Sequence, residues 1–495
     1  MKDTYILAVD QGTSSTKAIV FDEKLEIVAQ ASRPLNSAFL EGGLVEQDPQ
    51  EIFQSVMGAV EDCLQKFRLE GHDVSDLKVC GLTNQRETFV IWDEQGNPLH
   101  PAVVWQCKRS VSICNRLEQQ GLNPMIRSKT GLIIDPYFSG TKLIWLYENM
   151  AEVRQAVDGG KAYFGTIDTW ILFKLTDGTY LTDYTNACRT LFFNLKSLSW
   201  DQELLKTFGL EKLNLAEPRP SSSYFGKSDF NGLLPAPVTI GAMIGDSHAA
   251  AVGEGCFSPG TAKATMGTGS SILMNVGGDP SPAEHGLVST ICWSMEGRVD
   301  YAIEGVIVSC GSIIEWFKNQ LGLFAFSKDT EQLAQEVPNN GGVYLVPAFS
   351  GLGAPYWQMD RKASIHGLTF DSTKGHVVRA ALESITFQVK DIISMIEQDA
   401  GIPLKKLMLN GGLIANNFLL QQTADLLGKN LGIKGIPDVT AQGAAALAGL
   451  QAGIFANPDH LQSLMTAASE IHPDVENTRI AEDYQLWRAC IVDKG

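Results

Sequence analysis

The residues best equipped for chemistry lie in two short polar turns. Residues 7–23, LAVDQGTSSTKAIVFDE, read as a strand, a tight loop and a returning strand. Gly12 lets backbone amides approach an anion, and Thr13, Ser14, Ser15 and Thr16 bring hydroxyls. Lys17 brings a cation, and Asp10 at the strand end suits a hydrated Mg²⁺. Residues 264–278, ATMGTGSSILMNVGG, repeat the arrangement, with Gly-Thr-Gly-Ser-Ser between two strand-like runs. Two similar halves would then grip opposite ends of one polyphosphate, and the cleft between them would be the active site.

Three further stretches could complete such a site. PVTIGAMIGDSHAAAVGEG, residues 237–255, runs from an apolar strand through Asp246 into a helix-forming alanine run. Asp246 at that turn could serve as a base or simply as a helix N-cap. LKVCGLTN, residues 77–84, is a strand ending in Gln85-Arg86-Glu87-Thr88, a place for ligand contacts in α/β proteins or else a solvated loop. Trp105 and Tyr137 sit in Gly/Pro-punctuated polar surroundings, where pattern alone favours core packing. Phosphoryl transfer is mostly positioning and charge neutralisation, and this set supplies a metal anchor, amide donors and a base. There is no GxxxxGK[ST] loop and no GxGxxG after a strand, so neither a Walker site nor a dinucleotide fingerprint is supported.

The elements that must position these residues are legible in outline. Residues 24–34 read as a third strand of an opening meander. Asp48-Pro49 with Glu51 predicts a capped helix start and a capping box. Residues 182–194, with Arg189 inside, read as loop then strand, and 304–317 as helix after Gly305. Residues 375–398 are predicted as a long helix, followed by a strand at KLMLN, the loop 411–417, a helix at 417–427 and a helix at 441–453. The small residues Gly443 to Ala446 would allow close approach to nucleotide or to another helix. The repeated hairpin sets the division at 1–252 and 253–495.

Composition narrows the class. A chain of 495 residues, 44% hydrophobic and 19% charged, can bury two sizeable cores. A formal charge of −17 argues against coating nucleic acid, so an anionic ligand must be held by local amides, cations and a metal. The nine cysteines show no CxxC or zinc spacing and are expected to be reduced thiols. No stretch approaches a membrane span, so a cytoplasmic protein is expected.

In order along the chain, DQGTSS, TNQRET, IIDPYFSGTK, DYTNA, VPAFSGLGAPYW, LESI, GGLIANN and VTAQGAAALAG resemble the FGGY carbohydrate kinase family. The resemblance spans nearly the whole length. It implies an α/β fold of two RNase H-like domains in an actin/hexokinase/Hsp70-type arrangement, closing over ATP and a polyol. The implied reaction is ATP-dependent phosphorylation of a small polyol, glycerol to glycerol 3-phosphate first, with erythritol, threitol, xylulose or ribulose as longer alternatives. It makes Asp246 the general base; Arg86, Glu87, Trp105, Tyr137, Asp246 and Ser247 substrate contacts; and Asp10 the Mg²⁺ carboxylate, through water. Thr13, Ser14, Ser15, Lys17, Thr268, Gly311, Glu315, Gly412 and Asn416 match nucleotide contacts. The expected partners are the polyol or sugar and a second copy in a homodimer, with no nucleic acid and no membrane insertion.

Departures from the family pattern bear on the substrate. Ser247 and His248 stand where Gln-Gln is usual, Ser271 where an aromatic closes the pocket, Lys17 where Arg is common, Glu315 for Gln and Asn410 for Asp. Losing a ring and an amide arm predicts room for a longer polyol or ketose, unless His248 swings in. The Gly-rich segment with an Arg that binds a sugar bisphosphate in some bacterial members is missing at 226–236. Two rival readings are an actin- or Hsp70-like ATPase without a polyol pocket and a non-catalytic sugar sensor.

Overall fold

A computed structural model describes residues 4–356, 358, 360–436 and 438–492; Trp357 of the VPAFSGLGAPYW motif lies outside the described residues. The labelled strands are β1 (Tyr5–Gln11), β2 (Ser15–Phe21), β3 (Ile27–Pro34), β4 (Leu77–Asn84), β5 (Ser222–Ser228), β6 (Val238–Gly245), β7 (Thr261–Met266), β8 (Ser270–Gly277), β9 (Val288–Met295), β10 (Arg298–Ile307), β11 (Lys406–Asn410), β12 (Leu431–Ile433) and β13 (Ser469–Ile471). They form one sheet in the order β13-β12-β11-β7-β8-β10-β9-β5-β6-β4-β1-β2-β3. Within it one motif occurs twice. In the first half β1 pairs antiparallel with β2 and β2 with β3, while β4 runs parallel to β1 and β6 parallel to β4. In the second half β7, β8 and β10 are antiparallel neighbours, and β11 and β12 extend the other edge in parallel. The halves meet where β5 pairs with β9, at Ser222 and Met295. This is the duplicated RNase H-like topology.

The labelled helices are α1 (Pro49–Leu69), α2 (Ser139–Asn149), α3 (Asp246–Gly253), α4 (Gly311–Asn319), α5 (Lys374–Ala400), α6 (Asn417–Leu427), α7 (Val439–Gln451) and α8 (Arg479–Val492). α1 begins where the sequence predicts, with Asp48 accepting from the Gln50 amide and Pro49 opening the first turn. Its Ile52, Val56, Ala59, Cys63 and Phe67 are buried on one face against the first sheet. The predicted capping box is not made. Glu51 instead accepts from the Asn36 amide and side chain, because the preceding chain folds over the helix start.

Other expectations shift by a few residues. β3 starts at Ile27 because residues 22–26 make a turn with Leu25 at φ 63°. Residues 304–307 stay in β10, paired with Ser270–Leu273, and the helix begins only at Gly311. Gly305 serves packing there, since a Cβ would lie 2.6 Å from Ile392 of α5. Residues 182–194 contain a helical turn, Tyr184–Ala187, capped by Asp183. Among the described residues no helix is long and apolar enough to cross a membrane.

α7 belongs to the second half by sequence but packs on β1, β4 and β6 of the first and beside α3. Backbones touch there. A Cβ on Gly443 would lie 1.9 Å from the Ala249 carbonyl oxygen, and one on Gly253 2.0 Å from that of Val439. The small-residue run therefore serves helix packing. Gly443→Ala is expected to lower stability by at least about 1–3 kcal/mol, the usual cost of overpacking a tight contact. A urea titration with an unchanged midpoint would refute it.

Candidate active site

The parallel strands β1, β4 and β6 end side by side, with Asp10 opposite Thr83, Gln11 opposite Asn84 and Asn84 opposite Gly245. Their carboxyl ends carry the first hairpin turn, Gln85-Arg86-Glu87 and Asp246, the position where open α/β sheets hold ligands. The Gly12 amide donates to the Ser15 carbonyl at 2.9 Å and closes the turn. Glu87 is held at φ 59°, a left-handed conformation costly for a non-glycine residue. The Ser139 hydroxyl at the start of α2 bonds its carbonyl at 2.8 Å, and Arg189 Nε bonds its carboxylate at 2.6 Å.

Asp246 is the first residue of α3, with Gly245 as the N-cap, so its side chain does not cap the helix. Its Oδ1 accepts from Arg86 Nε at 3.1 Å and from the Ser247 amide at 2.5 Å; neither bond uses Oδ2. The other end of Arg86 donates to both oxygens of Glu304, at 3.3 and 3.1 Å, and Glu304 comes from β10 across the cleft. Arg189 NH1 lies 2.9 Å from the same carboxylate. Burial alone would raise the Glu304 carboxyl, but Arg86 and Arg189 outweigh it and hold it well below the ordinary range. Burial likewise opposes the Arg86 charge, and Glu304 and Glu87 more than restore it.

Trp105 and Tyr137 meet edge to face with ring centres 5.6 Å apart. Lys142 of α2 braces both by donating to the carbonyls of Trp105, Pro136 and Tyr137 at 3.4, 3.0 and 2.6 Å. Burial pushes this ammonium down to about 7, and Glu87 opposes the fall. Ser247 and Ser271 are also engaged. Lys263 donates to Ser247 Oγ at 2.9 Å, and Ser271 Oγ donates to Glu304 at 2.8 Å. An ammonium only donates, so the Ser247 proton is left for another acceptor; Ser271 keeps its lone pairs. His248 does not swing into the pocket. It is buried with Nε2 3.2 Å from Thr290, and burial, then Arg86 and Arg189, hold it well below its ordinary value.

On the phosphate side, Ser14 and Thr268 are exposed at the tips of the two hairpins. A Cβ on Gly311 would lie 2.6 Å from the Gly267 oxygen and one on Gly411 2.5 Å from the Met266 oxygen, so three backbones gather here without side chains. Gly412 faces open space. Lys17 ion-pairs with Asp438 of the second half. Two of the expected nucleotide contacts already have protein partners. Asn416 is buried, capping α6 through Leu419 and donating to Thr330. Glu315 binds Ser327, Asn319 and Lys318 on the outer face of α4.

Asp10 is pushed up to about 7, chiefly by burial and next by Asp246, with Lys17 opposing. A divalent cation would supply the missing countercharge. Among the described residues no group of three or more His, Cys, Asp or Glu could hold an ion unaided. The donor set suits Mg²⁺, which takes one or two carboxylates and fills its shell with water and phosphate oxygens.

Sequence reasoning missed Glu304, Lys263 and Lys142, and placed Arg189 only in a polar run. For Glu304 and Lys263 the signal was present, because each is a charge inside an otherwise apolar strand that must find a partner.

Residues 5–253 match the N-terminal domain, and 262–452 the C-terminal domain, of the FGGY family of carbohydrate kinases. Glycerol kinase of Petrotoga mobilis is 44% identical over 491 residues, covering 99% of this chain and 98% of that one. Glycerol kinase of Desulfitobacterium hafniense is 40% identical over 489 residues, covering 98% of each. The crystal structure of Plasmodium falciparum glycerol kinase with ADP superposes with a TM-score of 0.93 at 33% identity, over 99% of this chain and 98% of that one. Gluconate kinase from Lactobacillus acidophilus, 22% identical, shares the fold with a TM-score of 0.90 over 100% and 99% of the two chains.

The raised Asp10 carboxyl has a stability consequence. Its folded value of about 7 exceeds the ordinary 3.8, so the stability it contributes is full below pH ~4 and is lost as pH rises through about 7. Asp10→Asn removes the buried charge and should raise Tm at pH 8 more than at pH 5. Thermal unfolding with an equal increment at both pH values would contradict this.

Proposed function

Because the chain belongs to the FGGY family of carbohydrate kinases, we propose that its cleft transfers the γ-phosphoryl group of ATP to a terminal hydroxyl of glycerol, giving glycerol 3-phosphate. The observation that supports this reading is Asp246, which follows the end of β6 and has Arg86 Nε 3.1 Å from its Oδ1. Arg86 and the Ser247 amide occupy Oδ1, which leaves Oδ2 to accept the hydroxyl proton. The substrate oxygen then bonds to the γ-phosphorus as the bond to the β,γ-bridging oxygen breaks, and ADP leaves with that electron pair. Arg86, Glu87, Trp105, Tyr137 and Ser247 orient the polyol. Thr13, Ser14, Ser15, Lys17, Thr268, Gly311, Glu315, Gly412 and Asn416 line the nucleotide side, and Lys17 would exchange Asp438 for phosphate. Asp10 would hold Mg²⁺ through water, and the ion would supply charge neutralisation at the phosphates. Residues 1–252 bear the polyol site and 253–495 the adenosine side, a division that the two family matches, over 5–253 and 262–452, support.

Ser247 and Ser271 favour a second substrate class. One offers a proton and the other a lone pair, a combination suited to a further hydroxyl on a four- or five-carbon polyol or ketose. An ATPase of the actin or Hsp70 type would instead turn over ATP without any polyol.

Two measurements decide these points. Asp246→Asn should retain the fold and nucleotide binding and lower kcat by about 10²–10⁴; near-native turnover would leave Asp246 a structural residue. For the substrate, kcat/KM is compared for glycerol, erythritol, threitol, xylulose and ribulose by coupled ADP release. The second class predicts a longer substrate rivalling glycerol, and a glycerol advantage of about two orders of magnitude, roughly 2.7 kcal/mol, would eliminate it.

A further inference from the structure

A primary carboxamide offers two protons and two acceptor sites, and a buried one seldom finds partners for all four. Gln85 does. Its Oε1 accepts from the Thr13 hydroxyl at 3.3 Å and the Thr88 hydroxyl at 2.9 Å, and its Nε2 donates to Gln11 Oε1 at 3.1 Å and Gln47 Oε1 at 2.9 Å. Its backbone amide also donates to the Gln11 carbonyl at 2.7 Å, and Gln47 Nε2 reaches the Thr13 carbonyl at 2.7 Å. The side chain is therefore tied to the first phosphate hairpin where it leaves β1, at Gln11, and within its turn, at Thr13.

The same amide reaches the aromatic face by two routes. The Trp105 indole N–H donates to the Thr13 hydroxyl at 2.9 Å, and the Trp105 backbone N–H to the Thr88 hydroxyl at 3.1 Å. The path Trp105, Thr13, Gln85, Thr88 and back to Trp105 is a closed ring. The next residues along the chain are Arg86 and Glu87. A shift of the hairpin on taking phosphate must move Trp105 or break a partly buried hydrogen bond, and ordering of Trp105 by a polyol must steady the hairpin.

We infer that Gln85 is a positioning residue that couples occupancy of the nucleotide hairpin to polyol affinity, so that each ligand tightens the other. This rests on the reading that polyol lies on Trp105 and phosphates on residues 12–15. Coupling of this kind is reciprocal, and for a typical allosteric pair is on the order of 5–150-fold. A route through hydrogen bonds needs direct coupling measurements, since proximity alone does not establish it.

The test is calorimetric titration of the full-length protein with glycerol, alone and with saturating Mg·ADP, a pair that cannot react. The readout is the ratio of the two glycerol dissociation constants. The wild type should give a ratio of at least about fivefold. Gln85→Leu should bring it down by at least about threefold, a tangible part of that coupling. Should that variant fail to fold, Thr13→Val at a half-buried position cuts the Trp105–Thr13–Gln85 link and should lower the ratio likewise. Saturating nucleotide cancels any loss of nucleotide affinity, and a general loosening of the site would weaken both constants and leave their ratio alone. A wild-type ratio near one, or a folded variant with the wild-type ratio, would overturn the inference while leaving the phosphotransfer reading intact. A wild type that bound neither ligand would instead remove that reading and the inference with it.

Discussion

Glu304 is a buried carboxylate on a strand of the second half, and its two cationic neighbours, Arg86 and Arg189, belong to the first. Taking these charges out of water is costly, and the cost is offset only while the partners stay in contact; removing one from such a group typically costs about 3–5 kcal/mol. The geometry of Asp246 depends on it. Arg86 can orient the Asp246 carboxylate because Glu304 fixes its far end, and Arg189 can hold the strained Glu87 because the same carboxylate steadies it.

The duplicated sheet explains why this cluster lies where it does. Each half repeats three antiparallel strands flanked by two parallel ones, and Arg86, beyond a strand end of the first half, reaches Glu304 of the second together with Arg189. Contact between the halves is close elsewhere too, through the glycine-lined crossing of α3 and α7 and through the Lys17–Asp438 pair. Asn410 fits the same logic. Its amide donates to Glu254, a carboxyl that burial pushes up to about 7. The aspartate of the family pattern would set a second carboxylate against it.

Stability and chemistry pull in opposite directions at Asp10. A carboxyl at a strand end beside Asp246 is poorly solvated, so the free protein holds an electrostatic deficit there that metal-bound phosphates would relieve. Serine in place of bulkier residues at 247 and 271 changes the inventory of donors and acceptors rather than leaving plain space, since both hydroxyls are engaged by charged neighbours.

The sequence by itself determined the elements and the duplicated hairpin, because strand and helix periodicity and the Gly-Thr turns are local properties. Asp48-Pro49 capped α1, Lys406–Asn410 formed a strand, and Arg86 and Asp246 stood at strand ends as their flanking apolar runs required. Strand pairing across a long separation is not local, and only the tertiary structure decided it. It kept residues 304–307 in a strand by pairing them with Ser270–Leu273, which turned Glu304 into the clamp between the halves. It also gave Asn416 and Glu315 protein partners, the first as the cap of α6 and the second beside Lys318 and Ser327. Which polar residue meets ligand and which meets protein depends on neighbours brought from tens or hundreds of residues away, and no spacing along the chain encodes them.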